Sequence, residues 1–118
     1  MKYMPQEIEV WYVIPAIRRE LAKEMARSKL KQKDIAKLLG LTEPAVSQYL
    51  KSKRAKDIKF EKIIQSRINV AAHNIMKDNK NMIFEIQDIC EKVRKSGSLC
   101  KIACKYHDLQ ENCCVCMN

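Results

Sequence analysis

Residues 32–51 read QKDIAKLLGLTEPAVSQYLK, and their spacing predicts a helix, a tight turn and a second helix. Ile35, Ala36 and Leu39 fall on one face of the first helix, and Ala36 is small enough to let the second approach closely. Gly40 stands where the turn needs a positive φ, which glycine adopts without a Cβ penalty. Leu41 fills the corner, Thr42 is a suitable N-cap, and Glu43-Pro44 makes a suitable first turn. Val46, Tyr49 and Leu50 return the second helix to the core. Glu43, Pro44, Ser47, Gln48 and Lys51 are left on its outward face.

The motif sits in the most cationic part of the chain. The whole sequence of 118 residues carries a formal charge of +9, and residues 17–56 hold 12 Lys or Arg against 4 acidic residues. The first 16 residues are net −1 and the last 19 are neutral. Such concentration of charge suits either of two roles, an electrostatic footprint for phosphate backbones or a solvated lysine-rich helical surface.

Outward from the motif the chain reads as further helices. Pro15 suits the first turn of a helix in which Ile17, Leu21, Ala22 and Met25 recur at helical spacing, with Arg18, Arg19, Glu20, Lys23 and Glu24 on the other faces. The preceding Trp11–Ile14 is an apolar lead-in that needs cover from the core or from a second subunit. Beyond Lys51–Lys56, a stripe of Phe60, Ile63, Ile64, Ile68, Ala71 and Ile75 predicts a long helix. A polar break at residues 77–81 follows, then a helix carrying Ile86, Ile89, Cys90 and Val93, with Gly97 placed to end it. Cys90 lies on that apolar stripe and reads as a small buried hydrophobe. His73 has no partner signature.

With 2 Gly and 3 Pro and no readable strand, the expected fold class is all-α. The expected organisation is a helix-turn-helix bundle over 1–56, two packing or dimerisation helices over 57–97, and a cysteine-rich tail over 98–118. Apolar residues at 47% and charged residues at 31% suit a soluble globular protein. The longest apolar run, Val10–Ile14, is far short of the ~20 residues that span a bilayer. The N-terminal stretch has no apolar core of a signal peptide. A cytoplasmic protein is therefore expected.

Residues 32–51 resemble the helix-turn-helix of the Cro/repressor-like (XRE) DNA-binding family, with Gln32, Ala36, Gly40 and Val46 at the matching first, fifth, ninth and fifteenth positions. The resemblance implies that the second helix lies in the major groove of double-stranded DNA with its N-terminal half toward base edges. Gln48 can then pair with adenine in bidentate fashion, Ser47 can contact any base, Thr42 and Pro44 can pack on a thymine methyl, and Glu43 can accept from cytosine N4 or simply cap the helix. Gln32 resembles the family's phosphate-contacting glutamine. Lys51, Lys53 and Arg54 suit phosphates, as do Lys31 and Lys33, and such contacts position a protein without specifying sequence.

The cysteines are segregated. None precedes Cys90, and five lie in the last 19 residues. Cys100, Cys104, Cys113 and Cys116 give the spacing C-x3-C-x8-C-x2-C, and two such pairs can close a four-thiolate cage around zinc or an iron–sulfur cluster. Cys114 can stand in for Cys113, and His107 can replace a cysteine at zinc. In a reducing compartment this crowding favours metal ligation over disulfides.

The chain also resembles, over nearly its full length, an archaeal group of XRE-type regulators. In these a stretch like EIEVWYVIPAIRRELAKEM precedes the helix-turn-helix and a cysteine motif closes the chain. This resemblance implies a [4Fe–4S] cluster in the tail, with structural zinc as the alternative. The expected function is sequence-specific transcription regulation. The protein would act as a homodimer on a pseudo-palindromic operator, with the cluster as a redox, iron or sulfur sensor. An electron-transfer or cluster-carrier protein is a further reading, but it leaves the cationic block and the central motif without a purpose. No Ser/His/Asp set, P-loop or dinucleotide fingerprint occurs, so neither an enzyme nor a small-molecule substrate is expected.

Overall fold

The computed structural model describes residue 7 and residues 9–51, 60–77 and 82–96. Among these residues the chain is helical, without a strand, as expected for an all-α protein. A π-helical turn at Glu9–Val13 leads into α1 (Ile14–Arg27), followed by α2 (Gln32–Leu39), α3 (Glu43–Leu50), α4 (Lys62–Lys77) and α5 (Met82–Lys95). No helix among the described residues is long and apolar enough to cross a membrane.

α1 is the central element and packs against all four of the other α-helices. Its stripe is the one the spacing predicts: Ile17, Leu21, Ala22 and Met25 are wholly buried, together with Ala16. The helical path begins earlier than expected, at Glu9 rather than at Pro15. Proline has no N–H to donate, and its ring crowds the carbonyl four residues back. The wider π turn immediately upstream accommodates both effects. The apolar lead-in divides there. Val13 is fully buried, Tyr12 and Ile14 pack against the core, and Val10 and Trp11 are exposed. Arg19 departs from its expected outward position. It is buried, and its Nε donates to Glu20 Oε2 at 2.7 Å. That charge-assisted bond is what makes burial of the guanidinium tolerable.

The second correction concerns α4. Ile64, Ile68, Ala71, Ala72 and Ile75 are buried and Phe60 packs at the margin, but Ile63 is 79% exposed. α4 starts only at Lys62. The buried residues at 64, 68, 71, 72 and 75 centre the stripe on Ile68, and successive residues point about 100° apart on a helix. Ile63 is thereby carried onto the outer surface. In α5 the expected stripe holds, with Ile86, Ile89, Cys90 and Val93 all buried. Cys90 carries no disulfide and fills space as a small apolar side chain. One continuous core joins α1, α2 and α3 to α4 and α5.

The α4–α5 contact also contains a polar seam. Arg67 Nε donates to Asp88 Oδ2 at 2.9 Å, a second guanidinium nitrogen pairs with Glu85, and Asn74 Nδ2 donates to Glu85 Oε1 at 3.0 Å. Glu85 is 5% exposed, so its charge depends on these partners.

Helices α1 and α2 close in a common way. At the end of α1, Lys29 N–H donates to Ala26 O at 2.9 Å and Leu30 N–H to Met25 O at 3.2 Å. This bond pair defines a Schellman motif, whose left-handed position is most often glycine. Here it is Lys29, with φ 69°. At the end of α2, Gly40 holds φ 66° and Leu41 N–H donates to Ala36 O at 2.8 Å. A Cβ in the left-handed region costs about 1–2 kcal/mol, a penalty Gly40 avoids and Lys29 does not.

Candidate nucleic-acid interface

The interface candidate is built on α2, α3 and the three-residue connection between them. Ile35, Ala36 and Leu39 are buried on α2, and Val46 and Tyr49 on α3. These contacts lock the two short helices onto α1, which packs against both. Gly40 turns the chain, Leu41 is half-buried against the core, and Thr42 caps α3. The Thr42 backbone is extended, and its side-chain oxygen accepts from Ala45 N–H at 3.3 Å. Pro44 occupies the first turn, where its missing N–H is harmless. Each of these local features matches the sequence expectation.

With one face buried, α3 presents a polar remainder. Thr42, Glu43, Pro44, Gln48 and Lys51 are exposed, while Ser47 is half-buried beside them. Gln32 and Lys33 are exposed in the first turn of α2. The surrounding surface is cationic. Lys29, Lys31, Lys33, Lys37 and Lys51 are all exposed, and none of them has a carboxylate within ion-pair distance among the described residues. The acidic side chains near this surface are Asp34 and Glu43. Both are exposed and are outnumbered by the five lysines.

No family model, curated protein or solved structure matches the chain.

The physical features of the surface therefore carry its interpretation. A convex, eight-residue helix with small and polar side chains outward fits a groove about 12 Å wide, and unpaired lysines fit phosphates. Among the described residues, no three His, Cys, Asp or Glu side chains are placed to hold a metal ion. His73 is exposed on α4, with Nε2 3.7 Å from Glu24 Oε1 of α1.

Lys53 and Arg54 lie outside the described residues, as do Cys100, Cys104, Cys113 and Cys116 with their neighbours His107 and Cys114. Two features of the region escaped the sequence reading. Lys29 in a left-handed turn leaves no signature, because the expected marker there is glycine. Met82, the first residue of α5, approaches the α2–α3 turn. A Cβ added at Gly40 would meet Met82 Cε at 3.7 Å.

Proposed function

We propose that this chain is a sequence-specific DNA-binding regulator that works as a homodimer and reads the major groove with α3. The observation that carries this reading is the divided surface of α3, with Val46 and Tyr49 buried and Glu43, Pro44, Gln48 and Lys51 exposed in a cationic setting. The resemblance of residues 32–51 to the XRE helix-turn-helix supports it. Gln48 and Ser47 read base edges, Thr42 and Pro44 offer methyl contacts, and Glu43 accepts from cytosine or caps the helix. Gln32, Lys33 and Lys51 hold phosphates, joined by Lys53 and Arg54. One eight-residue helix spans few base pairs, so two copies related by a two-fold axis read a pseudo-palindrome with half-sites ~34 Å apart.

The donor set of the tail fits a metal centre. Cys100, Cys104, Cys113 and Cys116 supply four soft thiolates, the ligand type that both [4Fe–4S] and zinc take. The full-length resemblance favours the cluster. Such a cluster would supply redox and iron sensitivity when bound, and these four thiolates would hold it. Anaerobic purification, a visible spectrum and metal analysis decide between the two. About four irons per chain with a broad absorption near ~400 nm support the sensor, whereas one zinc and no colour make the tail a structural staple.

DNA reading is tested by selecting bound sequences from a random duplex pool. The wild-type chain enriches a palindromic site. Gln48→Ala lowers affinity for that site by about 1–3 kcal/mol, the worth of one bidentate contact, and leaves binding to unrelated duplex unchanged. Failure to enrich any sequence, or full retention of specificity in a Ser47→Ala, Gln48→Ala double variant, overturns the assignment.

A further inference from the structure

Helices α1 and α2 each close on a left-handed residue followed by a half-buried leucine, Lys29-Leu30 and Gly40-Leu41. The backbone asks the same of both positions. At Gly40 the chain meets the demand with the residue that satisfies it without strain. At Lys29 it uses a side chain that strains the backbone. Among the described residues no ion pair offsets that strain. Lys29 is exposed, and the hydrogen bonds of its turn, Lys29 N–H to Ala26 O and Leu30 N–H to Met25 O, are backbone bonds that glycine makes equally well. Among the described residues no carboxylate pairs with it. A cation near the carbonyl end of α1 is favourable and offsets part of that strain, the more so because Arg27 in the last turn is itself paired with Glu24 at 3.2 Å.

The neighbouring residues show the same preference for charge over stability. Lys31 occupies the N-cap position of α2 and makes no side-chain capping bond, where Ser, Thr, Asp or Asn would. Lys33 follows in the first turn, again without a carboxylate partner among the described residues. Lys29, Lys31 and Lys33 thus form an exposed run, without a carboxylate partner among the described residues, that flanks Gln32. Three residues of chain span no more than about 11 Å, so Lys29 stays close to Gln32 whatever its side-chain rotamer.

We propose that Lys29 is a phosphate-binding residue of the DNA interface, kept in a left-handed turn because its charge is needed there. The inference rests on the DNA-binding reading above and adds a contact that the sequence motif does not contain. Its ligand is the phosphodiester backbone of duplex DNA, so the contact is independent of base sequence and can be measured without knowing the operator.

The test uses the full chain, purified anaerobically, and a mixed-sequence duplex of about 30 base pairs titrated at several KCl concentrations. Each phosphate neutralised contributes about 0.9 to the slope of log affinity against log salt. Lys29→Gly is expected to raise the urea midpoint of unfolding while reducing that slope by about one unit and weakening binding roughly three- to tenfold at ~0.1 M salt. Lys29→Arg is expected to keep the slope. A Lys29→Gly chain that retains wild-type slope and affinity, or that unfolds at lower urea than wild type, overturns the role of Lys29. In the first case a steep wild-type slope leaves the DNA reading standing. If the wild-type chain fails to bind the duplex even at low salt, the DNA reading falls and takes this contact with it.

Discussion

Gly40 shows how much one residue can decide. Its φ of 66° reverses the chain between α2 and α3, and the presentation of every outward residue on α3 depends on that reversal. Gly40→Ala places a Cβ at ordinary van der Waals distance from Met82 Cε, so the cost is conformational rather than steric. The expected destabilisation is about 1–2 kcal/mol, read as a lower urea midpoint with an unchanged m-value. Gly40 and Thr42 were legible in the sequence because their residue types are specific to the conformations they adopt. Lys29 was not, since lysine in a left-handed turn looks like any other lysine. Ile63 misled for the opposite reason. It satisfied the helical spacing, but spacing does not reveal where the helix begins or which flank of an apolar stripe meets the core.

Between elements, the α4–α5 seam carries the heaviest electrostatic load. Burial disfavours the charge on Arg67, but its hydrogen bonds and charge pairing with Glu85 and Asp88 outweigh this and hold its pKa above the ordinary arginine value. Burial likewise works against the Asp88 carboxylate, but bonds from Arg67 and Lys92 prevail and hold its pKa below the ordinary aspartate value. A carboxylate with a depressed folded-state pKa stabilises the fold fully above its unfolded pKa, about 4. That contribution fades as pH falls through the lower folded value. Urea midpoints measured between about pH 6 and pH 2.5 are expected to fall in that acidic window, and Asp88→Asn is expected to shrink the fall. Arg67→Ala is expected to act at neutral pH as well, because it strands Glu85, buried, with only Asn74 beside it. Breaking such a pair by removing one partner costs about 3–5 kcal/mol. The helices themselves were legible through their stripes, but this seam was not. Arg67 and Asp88 lie 21 residues apart, and no local pattern links a lone arginine to acids on another helix.

For the whole molecule, the described helices share one continuous core. It runs from Val13 to Val93, and Cys90, the one cysteine among the described residues, lies within it. The separation of a cationic half from a cysteine-rich end was plain in the sequence. The choice between zinc and an iron–sulfur cluster for the proposed centre was not, because four thiolates serve both alike. If the tail were a staple, its ligands would be needed for folding, since small metal domains commonly unfold when their metal is lost. If it is a sensor appended to a self-sufficient bundle, folding and sensing separate. Replacing Cys100, Cys104, Cys113 and Cys116 together by serine is then expected to leave the helical circular dichroism and thermal midpoint of the bundle close to wild type. Operator affinity in the variant is expected to differ from that of the metal-loaded chain and to match that of the metal-stripped chain. Parallel melting curves and gel shifts read both quantities on the same three samples. Loss of helix in the variant would make the tail part of the fold, and equal operator affinity in all three samples would remove the tail from regulation. Unchanged melting with altered affinity is the outcome expected of the proposed sensor, because a segment need not stabilise the bundle in order to bias how two copies would be held on DNA.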